Sequence, residues 1–333
     1  MVYQLSLLDK SPIVKGASAE TALANTVAYA QAAERAGYKR FWIAEHHHAD
    51  DLASSSPEVL AAYLLAATSR IRIGSGGVML QHYSPYKVAE NFNLLSALGA
   101  GRVDLGVGKA PGGLPLSTKA LQQELNADTR LGFKEKLVQL GQFLGGHKSK
   151  VGAFEGLAAT PKPLLAAECY LLGASADSAL LAAETGWRFV YAGHLNGDTD
   201  NLEKTFDAFR AATGHVPALA LGVVIAATEE EAQEVVNRIK IFKVHLASGQ
   251  SVSVATEEAA AEFARQAGTT DYRVEEKRPS ILSGTSRQVR QKLDALHAQY
   301  GVEEFVLEFP AVSQEQRLSA IEGLAHERLT IAA

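Results

Sequence analysis

The stretch FWIAEHHHADDLASSSPEVLAAYLLAATSRIRIGSGG (Phe41–Gly77) contains one complete strand–helix–strand unit. Phe41–Glu45 and Ile71–Gly77 are short apolar runs, which predict buried strands. Between them, Ser56 and Pro57 place a side-chain acceptor at an N-cap and a proline at the first helical position. Strands that alternate with helices in this way build parallel sheets, so the unit predicts an α/β protein.

The same unit recurs along the whole chain. Apolar runs that predict strands also lie at Tyr3–Leu8, Val103–Gly108, Cys169–Gly173, Phe189–Ala192, Leu219–Ala226 and Phe305–Phe309. Strands in this number, each followed by a helix, close most simply into a (β/α)8 TIM barrel, whose reactive side chains lie at the carboxyl ends of the strands. An open doubly wound sheet is the alternative. We expect a single domain over residues 1–333.

Two segments interrupt the alternation. Between the fourth and fifth strands, residues 145–165 contain KVGAF and PKPLL, which suggest a hairpin or excursion beside the barrel mouth. Between the seventh and eighth strands, residues 246–283 are too long for a βα loop, and SVSVATEEAAAEFARQAG indicates a helical insertion. Long insertions tend to be lids or binding loops. We therefore expect insertions after strand 4 and after strand 7 to wall a ligand site.

Composition limits the classes of function. The net charge is -5 and no basic block stands out, so nucleic acid is not an expected partner. The apolar stretch VPALALGVVIAA falls short of the roughly 18 residues that a membrane span requires. MVYQLSLLDK lacks the cationic start of a signal peptide, and the single cysteine, Cys169, has no partner for an intramolecular disulfide. These features predict a cytoplasmic protein without membrane contact.

A cluster of titratable side chains follows the strand Phe41–Glu45. In an extended chain His46 and His48 share one face, while Glu45 and His47 share the other. Histidine is the commonest metal ligand and also changes charge near neutral pH, so a metal site and an acid–base site are both open. Few candidate ligands follow the other strands, and we predict no metal. These residues could also simply lead the strand into solvent.

The exits of the fourth and fifth strands predict an anion site. In YLLGASADSALLAAE (Tyr170–Glu184), small residues after Gly173 open a helix whose free N–H groups and positive dipole end attract anions. Ser175 could instead only cap this helix. The fourth strand ends in GVGKAPGG and delivers Lys109 to the neighbouring exit. A cation and a helix start would then converge on one phosphate.

The glycines of the third strand suggest what else binds. Gly74, Gly76 and Gly77 weaken a strand unless the backbone bulges or something flat approaches it closely. A planar ring against this backbone, with its phosphate at strands four and five and its edge toward His46, has the shape of flavin mononucleotide (FMN).

Five motifs carry a family resemblance, and they occur in order over nearly the whole chain. They are AEHHH (44–48), GSGGVMLQHYSP (74–85), AENFNLLSALGAGRVDLGVGKAPG (89–112), LLGASADSALLAAE (171–184) and SGTSRQVRQKL (283–293). Together they resemble the bacterial luciferase-like flavin monooxygenases. The resemblance implies that His46 is the catalytic histidine and that a cis peptide between Gly76 and Gly77 lies under the flavin ring. The cofactor-binding residues expected on this basis are Glu45, Gly76, Gly77, Lys109, Gly173, Ala174, Ser175 and Ser178.

Two positions depart from the family pattern. Lys109 stands where an arginine is usual, which keeps the charge but loses the bidentate fork. Gly108 stands where luciferase has its reactive cysteine, so light emission is not expected.

The resemblance implies a monooxygenase that uses reduced FMN and O₂ to oxidise a small organic substrate. A separate NAD(P)H-dependent reductase would supply the reduced flavin, since no GxGxxG turn follows a strand in this sequence. Relatives are commonly homodimers. A deazaflavin-dependent hydride-transfer enzyme, a non-catalytic flavin-binding protein and a metal-dependent hydrolase are the alternatives.

Overall fold

The computed structural model describes residues 3–126, 130–149, 152–195, 197–249, 251–277, 280–310 and 313–331. Its strands are β1 (Gln4–Asp9), β2 (Arg40–Ile43), β3 (Arg72–Met79), β4 (Val103–Gly108), β5 (Glu168–Gly173), β6 (Arg188–Ala192), β7 (Ala218–Ile225), β8 (Ile241–Leu246), β9 (Ser251–Val254), β10 (Tyr272–Lys277), β11 (Ile281–Gly284) and β12 (Glu304–Glu308). Its helices are α1 (Ala19–Arg35), α2 (Pro57–Ala67), α3 (Pro85–Leu98), α4 (Pro115–Leu121), α5 (Phe133–Phe143), α6 (Ala176–Thr185), α7 (Thr199–Thr213), α8 (Glu229–Arg238), α9 (Glu257–Gln266), α10 (Ser286–Tyr300) and α11 (Gln314–Ile331).

Eight of the strands close into a parallel barrel. The order is β1-β2-β3-β4-β5-β6-β7-β12, and β12 pairs again with β1. Helices between the strands cover the outside, which confirms the predicted (β/α)8 TIM barrel and excludes the open sheet. In the part of the chain that the structure describes, no helix is both long and apolar enough to cross a bilayer.

The barrel interior is apolar in its middle and ionic at its amino end. The middle layer consists of Leu8, Trp42, Ala44, Tyr170, Val190, Ala220 and Val306. Below it, the buried Arg40 guanidinium pairs with Asp104 at 2.7 Å and with Glu304 at 2.5 Å. The Trp42 indole N–H donates to Asp104 at 2.9 Å. Asp104 also pairs with Arg72 and Glu304 with Lys39, so each carboxylate has a second cation, as buried charges require because an unpaired one is costly.

Packing in the barrel accounts for the glycines of β3. A Cβ on Gly74 would lie 2.3 Å from the Asp104 carbonyl oxygen, and one on Gly76 would lie 2.7 Å from Leu8 Cδ1. The pairing of β3 with β4 shifts register between Gly76 and Val78, and the Gly76–Gly77 bond is cis. Their contacts come from strands that are distant in sequence, so no local pattern could reveal this packing role.

The segment of residues 145–165, which follows α5, does not lie beside the barrel mouth as predicted. Its described residues form two short 3-10 turns and a loop closed by backbone bonds from Ser149 N to Leu157 O and from Gly156 N to Ser149 O. Asn93 of α3 donates to the Ala159 carbonyl at 2.9 Å. The chain here leads from the end of α5 into the start of β5, so the segment lies at the amino ends of the strands. Its expected place beside the mouth is wrong.

The excursion between β7 and α10 is larger than predicted. It contains α8 and a three-stranded antiparallel sheet of order β10-β8-β9, which α9 covers on one side. Only a helix was predicted here, whereas β8, β9 and β10 are strands, and the SVSV portion is β9. The amide of Leu116 in α4 donates to the Gln266 side chain in α9 at 2.9 Å. Because α4 follows β4, this contact brings the excursion over the carboxyl end of the barrel.

We predict that Gly74→Ala destabilises the protein by about 1–3 kcal/mol, because the methyl group would overlap backbone atoms that cannot move aside. Gly108→Ala is the matched control, since its Cβ would meet only Met79 side-chain atoms at 3.6 Å. Urea unfolding of both variants measures the difference. Equal stability of the two variants would contradict the packing account.

Candidate active site

Side-chain alternation along β2 determines what the barrel mouth contains. Trp42 and Ala44 belong to the interior cluster, so His46, two residues farther, continues on the interior side. Its backbone is held by a bond from the His46 amide to the Ser54 carbonyl at 2.9 Å. Glu45 and His47 face the surrounding helices instead.

Glu45 is fully buried, and its carboxylate holds together residues from two strand exits. Its carboxylate accepts hydrogen bonds from the Met79 amide at 3.0 Å and from the Tyr83 hydroxyl at 2.8 Å, and it lies 2.7 Å from His47 Nε2. These bonds join the exit of β2 to the exit of β3. The Glu45 carboxylate is thus engaged by protein groups, and binding of the cofactor by Glu45 stays a prediction.

His46 carries a neutral imidazole at neutral pH. Burial lowers its pKa to about 4, and the nearby Lys10 ammonium acts in the same direction. Its Nδ1 is buried and has no hydrogen-bond partner among the described residues. Since buried polar atoms are nearly always paired, this nitrogen has an unmade hydrogen bond that a bound group can supply.

Three titratable residues that the sequence analysis did not assign to the site lie at the same mouth. Lys10 Nζ pairs with Glu308 at 2.5 Å, and the other carboxylate oxygen of Glu308 lies 3.7 Å from His194 Nε2. Lys10 and Glu308 each follow an interior residue, Leu8 or Val306, by two positions. The two-residue spacing could have placed Lys10 and Glu308 on the interior face from sequence alone. Bringing the two residues together also required knowing that β1 and β12 are neighbours.

The exits of β4 and β5 bring the predicted phosphate contacts together. Gly108 pairs with Leu172, so Lys109 lies beside Gly173. The Lys109 side chain is exposed and makes no ion pair or hydrogen bond to any residue that the structure describes. A Cβ on Gly173 would lie 2.7 Å from Ser178 Cβ, and only glycine lets the strand approach α6 so closely.

Ser175 caps the start of α6, which was one of the two roles that the sequence left open for it. The Ser178 amide donates to Ser175 Oγ at 3.3 Å, and the two hydroxyl oxygens lie 3.1 Å apart. The Ala174 carbonyl accepts from Asn201 at 2.8 Å. Capping by Ser175 leaves the first-turn amides of Ala176 and Asp177 without an intrahelical acceptor, so they can still bind an anion.

The donor set fits a flavin. A cation and open helix amides lie at one side of the mouth, the bare Gly76–Gly77 backbone at another, and an unpartnered imidazole nitrogen at a third. Within the described ranges, no three His, Cys, Asp or Glu side chains approach one another as metal ligands would.

Comparison with protein families and with characterised proteins gives consistent matches. The family profile described as luciferase-like monooxygenase matches residues 5–304. The N-acetyl-S-alkylcysteine monooxygenase of Bacillus subtilis (strain 168) is 43% identical over 316 residues, which cover 93% of each chain. The luciferase-like monooxygenase of Escherichia coli (strain K12) is 37% identical over 195 residues, 58% of this chain and 56% of that protein.

Solved structures share the fold. Apo-MsnO8 superposes with a TM-score of 0.77 at 29% identity over 98% of each chain. The oxygenating constituent of 3,6-diketocamphane monooxygenase from Pseudomonas putida, solved in complex with FMN, has a TM-score of 0.67 at 19% identity. It covers 98% of this chain and 96% of its own. At that identity the likeness establishes the fold alone.

Proposed function

The chain belongs to the luciferase-like monooxygenase family, and we propose that it uses reduced FMN and O₂ to oxidise a small organic substrate. One observation carries the proposal. The buried, unpartnered nitrogen of His46, the Gly76–Gly77 backbone and the free side chain of Lys109 lie at the same carboxyl end of one barrel. A flat ligand with a phosphate tail has a contact for each of its parts there.

Each part of FMN has a proposed contact. Lys109 and the open amides at the start of α6 bind the phosphate, and Gly173, Ala174, Ser175 and Ser178 shape that turn. The Gly76–Gly77 backbone supports the ring. Reduced FMN, when bound, supplies the electrons that activate O₂ for transfer to the substrate.

The protein's own contribution is orientation, exclusion of water and control of protons. His46 is neutral at neutral pH, so its imidazole has one N–H to donate and one nitrogen to accept at the reacting edge. The bond between α4 and α9 brings the excursion to the mouth, where we propose that it limits the access of water.

We propose an S-alkyl thioether of the N-acylcysteine type as the substrate. The support is the 43% identity, over 93% of both chains, with a monooxygenase named for N-acetyl-S-alkylcysteine. We also propose that a separate NAD(P)H-dependent reductase supplies the reduced flavin, and that the reaction takes place in the cytoplasm.

An exposed apolar face supports a homodimer. Val59 and Tyr63 on α2, with Leu94 and Leu98 on α3, are each more than half exposed. Each pair is four residues apart, so each lies on one side of its helix. Contiguous apolar faces of this kind mark protein interfaces. We propose that a second copy of this chain covers the face.

We predict that Lys109→Met weakens FMN binding at least about tenfold, because it removes a charge-assisted contact to the phosphate. Lys109→Arg should tighten binding, since guanidinium forms a bidentate pair with phosphate. Lys119→Met, on the exposed side of α4, is the control. The measurement is absorbance titration of the apoprotein with oxidised and reduced FMN.

Wild-type affinity for FMN in Lys109→Met would contradict the phosphate assignment. Tighter binding of a deazaflavin than of FMN in the same titration would favour the hydride-transfer alternative.

His46→Ala is expected to lower turnover of N-acetyl-S-alkylcysteine by roughly 100-fold, the usual loss of an acid–base group, while FMN still binds. His48→Asn is the control, because His48 is exposed and has a left-handed φ of 53° that asparagine tolerates. Product formation with reduced FMN and O₂ is measured for both variants. Undiminished turnover in His46→Ala would reject its catalytic role.

Leu98→Glu should convert the proposed dimer into a monomer, because it places a charge in an apolar interface. Leu180→Glu, at an exposed apolar position on α6, should leave the dimer intact. Light scattering after gel filtration gives both masses, and a monomeric wild type would disprove the interface.

A further inference from the structure

Four titratable side chains form an arc around the barrel mouth. Lys10 follows β1, Glu308 ends β12, His194 follows β6 and His46 follows β2. Glu308 is the centre of the arc, with one oxygen 2.5 Å from Lys10 Nζ and the other 3.7 Å from His194 Nε2. The proposed function leaves Lys10, Glu308 and His194 without a role.

Strand register explains how these groups meet. Glu308 pairs with Leu8 on one side, and Lys10 lies two residues beyond Leu8 on the same interior face. On its other side Glu308 pairs with Gly222 of β7. Gly222 has no side chain, so the carboxylate reaches across β7 toward His194. The arrangement thus depends on a glycine whose position in β7 faces the interior.

These groups are largely shielded from water, so the charge of each one shifts the pKa of its neighbours. The His194 side chain is 9% exposed, and its Nδ1, like that of His46, has no partner among the described residues. Burial favours a neutral Glu308, but Lys10 beside it keeps the pKa of this carboxyl below its usual range. Burial lowers the pKa of His194, and Glu308 partly opposes that effect.

Few other charges act on the arc. His47 affects His46 from the same strand exit. Arg317 of α11 acts on Glu308 but is already paired with Asp9. Lys10 and Glu308 are therefore the main charged groups that act on both imidazoles and that substitution can remove.

We propose that Lys10, Glu308 and His194 are positioning residues of the reaction centre. Lys10 pairs with Glu308 and adds to the effect of burial in keeping His46 uncharged, and Glu308 positions the His194 imidazole at the mouth. The pair acts electrostatically on both imidazoles, and that action is the role proposed for it. The inference rests on the proposed function for the reaction that these groups serve.

The test is an NMR titration of the histidine ring Cε1–H signals in protein without flavin. Lys10→Met removes a positive charge that faces His46, so it should raise the His46 pKa above about 4. Lys10→Arg keeps the charge and should leave it unchanged. Glu308→Gln removes a negative charge and should lower the pKa of His194. In the Lys10→Met/Glu308→Gln double variant, loss of Lys10 raises and loss of Glu308 lowers the pKa of each histidine, so the two shifts should oppose each other. Circular dichroism checks that each variant is folded.

The second readout is the pH profile of turnover. In Lys10→Met the acid limb should move to higher pH while the affinity for FMN stays unchanged. An unaltered His46 pKa in folded Lys10→Met overturns the inference, and so does a raised pKa with an unmoved acid limb. Failure of the wild type to bind FMN would instead reject the proposed function. The imidazole titration needs no flavin, so it would still show whether Lys10 changes the pKa of His46.

Discussion

The ion pair between Arg40 and Asp104 determines which way β2 faces. A guanidinium this deeply buried must meet its carboxylate inside the barrel, because an unpaired buried charge costs several kcal/mol. A register slip of one residue would turn Arg40 toward the helices and reverse every later side chain of the strand. With Arg40 inward, His46 is inward too, and Glu45 faces outward.

Outward-facing residues then hold the mouth in shape. Glu45 joins the exits of β2 and β3 through Met79 and Tyr83. The Lys136 ammonium of α5 donates to the carbonyls of Gln81 at 3.0 Å and Tyr83 at 2.9 Å. Two layers of contacts outside the barrel therefore position the backbone that the flavin ring is proposed to contact.

Local patterns in the sequence were sufficient for the barrel and for part of the site. All eight barrel strands are apolar runs, and their burial makes such runs easy to recognise. The opposite facing of His46 and Glu45 follows from strand geometry alone. Lys10, Glu308 and His194 could not be assigned, because single polar residues after three different strands become a group only through closure of the barrel. Strand β9 was missed because its SVSV pattern merges with the helix that follows.

The excursion after β7 has a small core of its own, built around Val244, Leu246 and Phe263. It shares none of those residues with the ionic layer at the opposite end of the barrel. Mutations that reshape the roof over the mouth can therefore accumulate without loosening the scaffold beneath. A chain built this way can acquire new substrates by drift in one segment while it keeps the same cofactor chemistry.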